Sequence, residues 1–162
     1  MRVTHTFEPV YNSNSRVLIL GTFPSVKSRE GNFYYHHPQN RFWKLIAALV
    51  GKPVPETIAQ KIELLLRSGI AVWDVVAECD ITGSSDASIR NVVPTDINRI
   101  LDAADIVQIY ANGAKAAQLY HKYLEPMTGR PARKLPSTSP ANAAYSFERL
   151  KEEWRAAFRY VG

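Results

Sequence analysis

The sequence predicts a three-layer α/β/α domain built on a central four-stranded parallel sheet. Three observations carry this. "RVLILGT" (16–22), "GIAVWDVV" (69–76) and "DIVQIYANG" (105–113) are short apolar runs with little polar alternation, the pattern of strands buried on both faces. Amphipathic helical stretches separate them, as the crossovers of a parallel sheet require. The chain has 162 residues, 46% of them hydrophobic, enough for one well-buried core, so 1–162 is read as a single domain.

Taken in order, the first strand ends at Gly21 and enters a long strap, "GTFPSVKSREGNFYYHHPQNRFW" (21–43). "NRFWKLIAALVG" then places Phe42, Leu45, Ile46 and Leu49 on one helical face, with Asn40 as N-cap and Gly51 as the stop. "PETIAQKIELLLRSG" repeats the device with Ile58, Ile62, Leu65 and Leu66, and Gly69 opens the second strand. "CDITGSSDASIRNVVPTD" (79–96) is polar and turn-rich, which predicts a long surface or functional loop followed by a short helix from Thr95. The third strand runs through Gly113 into the Ala-rich helix "AKAAQLYHKYL". A short fourth strand is expected around Lys134 and Leu135, then "PSTSPANAAYS" and a closing helix with Phe147, Leu150, Trp154 and Phe158 on one stripe. Ligands of such sheets bind at the carboxyl ends of the strands, so the loops after Leu20, Val72, Ile109 and Leu135 are expected to converge on one site.

Composition narrows the chemistry. Twenty Lys and Arg against 15 Asp and Glu give a net charge of +5, which suits a polyanionic partner. The single cysteine, Cys79, excludes an internal disulfide framework, and no leader or membrane-spanning run is evident, so the cytoplasm is the expected location. Neither G-x-x-x-x-G-K-[ST] nor G-x-G-x-x-G is present, which argues against an ATP or dinucleotide site. His36 and His37 are adjacent and lack acidic or thiol neighbours at ligand spacing, so neither a metal nor another cofactor is expected; one histidine should be buried and hydrogen-bonded, the other solvated.

The strap and the "LPSTSPANAAYS" loop hold the candidate site. Phe33, Tyr34 and Tyr35 offer ring faces for nucleobases, with core packing as the ordinary alternative. Ser137, Thr138 and Ser139 sit between stiffening prolines and suit phosphate oxygens, unless they form only a Pro/Ser turn.

"GTFPS" after the first strand, "HPQNRFWK" at the head of the first helix, "YANGAKAA" after a late strand and "LPSTSPANAAYS" before the last helix resemble, in that order, the motifs of the uracil-DNA glycosylase superfamily, from about residue 16 to 154. "FYYHHPQNRFWK" with "WDVV" and "GSSDASI" is most similar to its hypoxanthine-DNA (deoxyinosine) glycosylase branch; the mismatch-specific uracil/thymine enzymes share H-P-x-N-R-F-W-K. The resemblance implies a monofunctional glycosylase that flips deaminated bases (hypoxanthine, with uracil or xanthine as further substrates) out of damaged double- or single-stranded DNA, acting as a monomer.

Carried over residue by residue, the resemblance departs from its relatives in three places. Phe23 stands where mismatch-specific enzymes have a catalytic Asn, the water-activating Asp of other relatives is absent, and Leu135 replaces the His of the classical uracil enzymes. In the hypoxanthine branch the catalytic task passes to the Asn of H-P-x-N, here Asn40; a plain helix N-cap is the other role open to it. Base binding is expected from Gly21, Thr22, Phe23, Tyr35 and Asp74. Tyr35 aligns with a base-stacking aromatic. Asp74 falls where uracil-specific relatives read the base, its alternative being a strand-end carboxylate bonded to its own loop. DNA backbone contacts are expected from Pro24, Ser25, Lys27, Arg29, Lys134, Ser137, Thr138 and Ser139. The rival classes are a non-catalytic nucleic-acid-binding module, a mismatch-specific uracil/thymine glycosylase and an unrelated hydrolase of small phosphorylated substrates.

Overall fold

The computed structural model describes residues 1–156 and 158. Its elements are β1 (Arg2–Thr4), β2 (Val17–Gly21), α1 (Val26–Gly31), α2 (Phe42–Val50), α3 (Ile58–Arg67), β3 (Ile70–Asp74), β4 (Val76–Asp80), β5 (Arg90–Pro94), α4 (Asn98–Leu101), β6 (Gln108–Asn112), α5 (Ala114–Leu119), α6 (Glu125–Thr128), β7 (Ala132–Leu135) and α7 (Phe147–Arg155). Four strands form the parallel sheet in the order β3-β2-β6-β7. The β3 edge is covered by the N-terminal segment, where Val10 and Val72 exchange backbone hydrogen bonds of 3.0 and 2.9 Å.

Both faces of this sheet are buried, and the two-residue period of β2 sorts its side chains between them. Val17 and Ile19 join Phe42, Leu45, Leu65, Leu150 and Trp154 under α2, α3 and α7. Leu18 and Leu20 join Ile97, Ile100, Leu119 and Tyr120 under α4 and α5. Helix, sheet and helix layers thus follow from a strand with no polar residue on either side. Truncating a fully buried ring such as Phe42 removes transfer energy and leaves a cavity, a loss on the order of 3–5 kcal/mol.

The structure adds a second, three-stranded antiparallel sheet in the order β1-β4-β5. It corrects the expectation of one long loop over 79–96: that stretch holds the end of β4 and all of β5, and the loop between them carries a 3₁₀ turn at Asp86–Ser88. The chain passes from one sheet to the other at Val75, whose N–H donates to the Gly21 carbonyl and whose carbonyl accepts from Thr95.

The strap is also more ordered than its composition suggests. Ser25 caps α1 by accepting from the Ser28 N–H, and Trp43 Nε1 donates to the Tyr34 carbonyl at 3.1 Å. Phe33 and Tyr34 are core residues, and the Tyr34 hydroxyl donates to the Glu8 carbonyl. The helix after the strap starts one residue later than expected. Arg41 is its N-cap by backbone geometry, while the Asn40 side chain accepts from Phe42 N–H at 2.9 Å.

Candidate active site

The loops at the carboxyl ends of the parallel strands converge, as the topology requires. They enclose a cleft of about 380 Å³, lined from residues 21–25 after β2, Asp74 at the end of β3, Asn112 at the end of β6, residues 137–141 after β7, and Tyr35, His37 and Asn40 of the strap. A larger groove of about 760 Å³ lies between α2 and α3, lined by Leu49, Val50, Pro53 and Val54 among others. It is away from the strand ends and has no convergent set of buried polar groups, so the smaller cleft is the candidate site.

Two glycines make the cleft possible. A Cβ at Gly21 would collide with Asp74 Oδ1 and stand 3.1 Å from the Tyr35 hydroxyl, so the end of β2 can approach those groups only as glycine. Gly113 has φ +100°, and a Cβ there would come within 3.1 Å of the Ser137 side chain.

The floor is Asp74. Its residue is 4% exposed, and Oδ2 is 2.8 Å from His5 Nε2, the imidazole being delivered by the segment that follows β1. Its own loop does not hold the carboxylate, contrary to the ordinary expectation for a strand-end Asp. Beside it the Tyr35 hydroxyl is buried, with no hydrogen-bond partner among the described residues. Asn112 is near but engaged elsewhere: Nδ2 donates to the Thr138 hydroxyl and Oδ1 accepts from Thr138 N–H, both at 3.1 Å. Burial, and then the charge of Asp74, push the Tyr35 phenol far above its usual range, so it stays a neutral donor. The Tyr35 ring stacks on Phe42 at 4.0 Å, which leaves one ring face at most for a base.

Asn40 stands in the cleft wall. Its acceptance from Phe42 N–H fixes which side-chain atom is oxygen, so Oδ1 keeps one lone pair and Nδ2 keeps its hydrogens for a ligand or water. The two motif loops are stitched together by Arg41, whose N–H donates to the Thr138 carbonyl while its guanidinium donates to the carbonyls of Ser139, Asn142 and Tyr145. This is why "HPQNR" and "LPSTSPANAAYS" act as one wall.

Gly21, Thr22, Phe23, Pro24, Ser25, Tyr35, Asn40, Asp74, Ser137, Thr138 and Ser139 all line the cleft. Thr138 is fully buried and tied to Asn112, so its hydroxyl is structural; Ser137 Oγ accepts from Ser139 N–H and Ser139 Oγ from Ala141 N–H, which leaves each its hydroxyl hydrogen for a ligand. The three expected cations do not line it. Lys27 is exposed and pairs with Glu30 at 3.6 Å. Arg29 folds back to the Ser25 and Gly83 carbonyls with its guanidinium over Phe23, and Lys134 projects from the exposed part of β7. Nor is either neighbouring histidine buried: His36 is exposed and His37 half-buried, with His37 Nδ1 accepting from Gln39 N–H. No group of three or more His, Cys, Asp or Glu among the described residues could hold a metal ion.

Sequence reasoning missed His5, Arg41, Asn112 and Asp86. Asp86, on the 3₁₀ turn, is the second carboxylate of the cleft lining. Partial desolvation and then the charge of Asp74 push its carboxyl up, with Lys115 and the Thr22 hydroxyl opposing. The visible signal was the acidic residue in "GSSDASI"; Arg41 had a signal in its place within H-P-x-N-R.

The helix-covered parallel sheet and the cleft at its strand ends place the chain in the α/β/α class of folds that bind ligands at strand ends. A model of the Uracil DNA glycosylase superfamily matches residues 8–160, and the chain belongs to that superfamily. A Methanosarcina acetivorans protein named hypoxanthine DNA glycosylase is 32% identical over 156 residues, covering 95% of this chain and 97% of its own. Its namesake from Methanosarcina barkeri is 30% identical over 154 residues, 94% and 96% of the two chains. The solution NMR structure of a candidate uracil DNA glycosylase from M. acetivorans superposes with a TM-score of 0.82 at 32% identity, covering 98% of each chain.

Proposed function

We propose that this protein is a monofunctional DNA glycosylase that releases hypoxanthine from deoxyinosine, with uracil and xanthine as further substrates. The superfamily membership supports hydrolysis of an N-glycosidic bond in DNA, and the two named relatives favour hypoxanthine. The observation that carries the reading is the meeting of Asn40 and Asp74 in one cleft.

A base in a duplex is reached by flipping, at a cost of a few kcal/mol that a mismatch lowers. Asp74 Oδ1 then accepts the ring N–H of the flipped base. Hypoxanthine at N1 and uracil at N3 carry that hydrogen, whereas adenine and cytosine present lone pairs that the carboxylate repels. Phe23 closes one side of the base and Tyr35 the other. Asn40 has no useful acid–base pKa, so it orients water toward the anomeric carbon and stabilises the oxocarbenium-like sugar by its dipole. Among the described residues no lysine lines the cleft, which favours simple hydrolysis to an abasic site over a Schiff-base lyase step.

The test is single-turnover incubation with end-labelled duplexes containing inosine, uracil, xanthine or no lesion, followed by alkali. Alkali-labile sites are expected at inosine first, and none before alkali. Binding without base release would identify the non-catalytic module instead. Asp74→Asn should relax discrimination more than it lowers rate, because a charge-assisted bond of about 1.5–3 kcal/mol becomes neutral. Equal losses on every lesion would move base choice to the backbone of residues 21–25.

A further inference from the structure

Resting on the reading of Asp74 as the base acceptor, we propose that His5 is a positioning residue for base choice, one that holds Asp74 so that a single carboxylate oxygen meets the base. Among the described residues the one hydrogen bond of this carboxylate is to His5, Nε2 to Oδ2 at 2.8 Å, and both side chains are 5% exposed. An ionised carboxylate only accepts, so Nε2 carries the hydrogen and the tautomer is set. Oδ2 is thereby occupied, and Oδ1 lies against Gly21.

The imidazole is itself held from three sides. The His5 backbone N–H donates to the Ala77 carbonyl of β4 at 2.7 Å, and the ring lies 4.5 Å from Phe7, 5.9 Å from Tyr34 and 6.1 Å from Phe23, centroid to centroid. Phe23 also lines the cleft, so one side chain ties together the acid that reads the base and the ring that closes over it. A rotating carboxylate would offer either oxygen at a variable angle and blur the difference between a lactam N–H and a lone pair. Pinned by His5, it offers one fixed acceptor. The ligand class that fits is a nucleobase with a ring N–H beside a carbonyl, the group that deamination creates from adenine and cytosine and that guanine and thymine also carry.

The experiment measures dissociation constants for duplexes carrying 2′-fluoro-deoxyinosine, whose glycosidic bond resists cleavage, the matching 2′-fluoro-deoxyadenosine, and a tetrahydrofuran abasic analogue. His5→Gln keeps a donor at the reach of Nε2; His5→Leu keeps bulk and removes the donor. Wild type should prefer inosine over adenosine. His5→Leu should shrink that preference by about tenfold, the size of one hydrogen bond to a charged group, without weakening abasic binding, and His5→Gln should restore most of it. Should Leu prevent folding, His5→Asn, whose shorter amide does not reach Oδ2, carries the same expectation. A preference intact in His5→Leu or His5→Asn, or lost equally in His5→Gln, overturns the role of His5. No preference in the wild type overturns instead the reading of Asp74 and this inference with it.

Discussion

The two sheets of this molecule differ in almost every physical respect. The parallel sheet is buried on both faces and presents its strand ends to the cleft; β1, β4 and β5 are half-exposed, and Arg2 ties them with surface bonds to Glu78 and Asp80. Yet the small sheet delivers His5 to the floor, and the turn between β4 and β5 delivers Asp86 to the wall. The lesson is a division of labour: the stable sheet supplies position, and the cheaper, more polar one adds the groups that tune an acid already in place.

The largest expected effect lies on the parallel-sheet side. Asn40→Ala should slow single-turnover release from an inosine duplex roughly 100-fold or more with DNA binding nearly intact, since one preorganised polar group is lost. Helix α2 loses only the bond to Phe42 N–H, so its melting temperature should move little. Wild-type rates in this variant would remove Asn40 from catalysis and leave it a capping residue.

Asp86→Asn sharpens the comparison from the other side. The Asp86 carboxyl is raised by partial desolvation and by Asp74, so on acidification it takes its proton above the usual carboxylate range. If its charge favours a cationic sugar, the rate should fall over that window in the wild type, and the Asn variant should lose this limb and a few-fold of the plateau. For stability the sign is opposite. A raised folded-state pKa gives a contribution that is full below the unfolded value and lost as pH rises through the folded one, so Asp86→Asn should melt at the same or a higher temperature at neutral pH. An unchanged acid limb would make the small sheet mere packing at this position.

The parallel strands were legible because they are buried on both faces, which writes them as uninterrupted apolar runs such as "VLIL". The convergence of four loops then followed from topology. The small sheet was not legible: β1 has three residues, β5 alternates weakly, and β4 is "VAECD", whose polar positions read as loop. Where the motif is local its residues reach the cleft, as with Asn40, Tyr35 and Ser137. Asp74 lines the cleft, but its partner was not legible, because His5 is 69 residues away and nothing in "RVTHTF" marks a histidine as the partner of a buried carboxylate. That the three expected cations stand outside the cleft lining was illegible for a related reason. Charge and loop membership do not reveal that Arg29 is spent on backbone carbonyls, nor that Lys115, from α5, is the cation whose charge reaches Asp86.

Salt dependence ranks next in size. Each cation that meets a phosphate should contribute about 0.9 to the slope of log affinity against log salt. Lys115→Ala is expected to lower that slope, and Lys27→Ala to lower it if the DNA crosses the α1 side of the cleft. Lys134→Ala should leave it unchanged, because its exposed strand lies outside the cleft lining. The opposite pattern would run the DNA along β7.

The smallest effect concerns a single oxygen. The Tyr35 hydroxyl is buried with no hydrogen-bond partner among the described residues, next to a carboxylate, and its ring is already fixed by stacking on Phe42 and by a left-handed backbone at φ 52°. Burying an unpaired hydroxyl costs about 1–3 kcal/mol, so Tyr35→Phe should relieve part of that and leave thermal stability equal or slightly higher. The ring, its stacking and the cleft shape stay. If the hydroxyl is kept for a flipped base, the same variant should lose a few-fold in affinity for the uncleavable inosine duplex while binding the abasic analogue as before. A fall in stability with unchanged base preference would show that the hydroxyl serves the fold alone, through Asn112 or Asp74, and would return the recognition of the base wholly to the carboxylate.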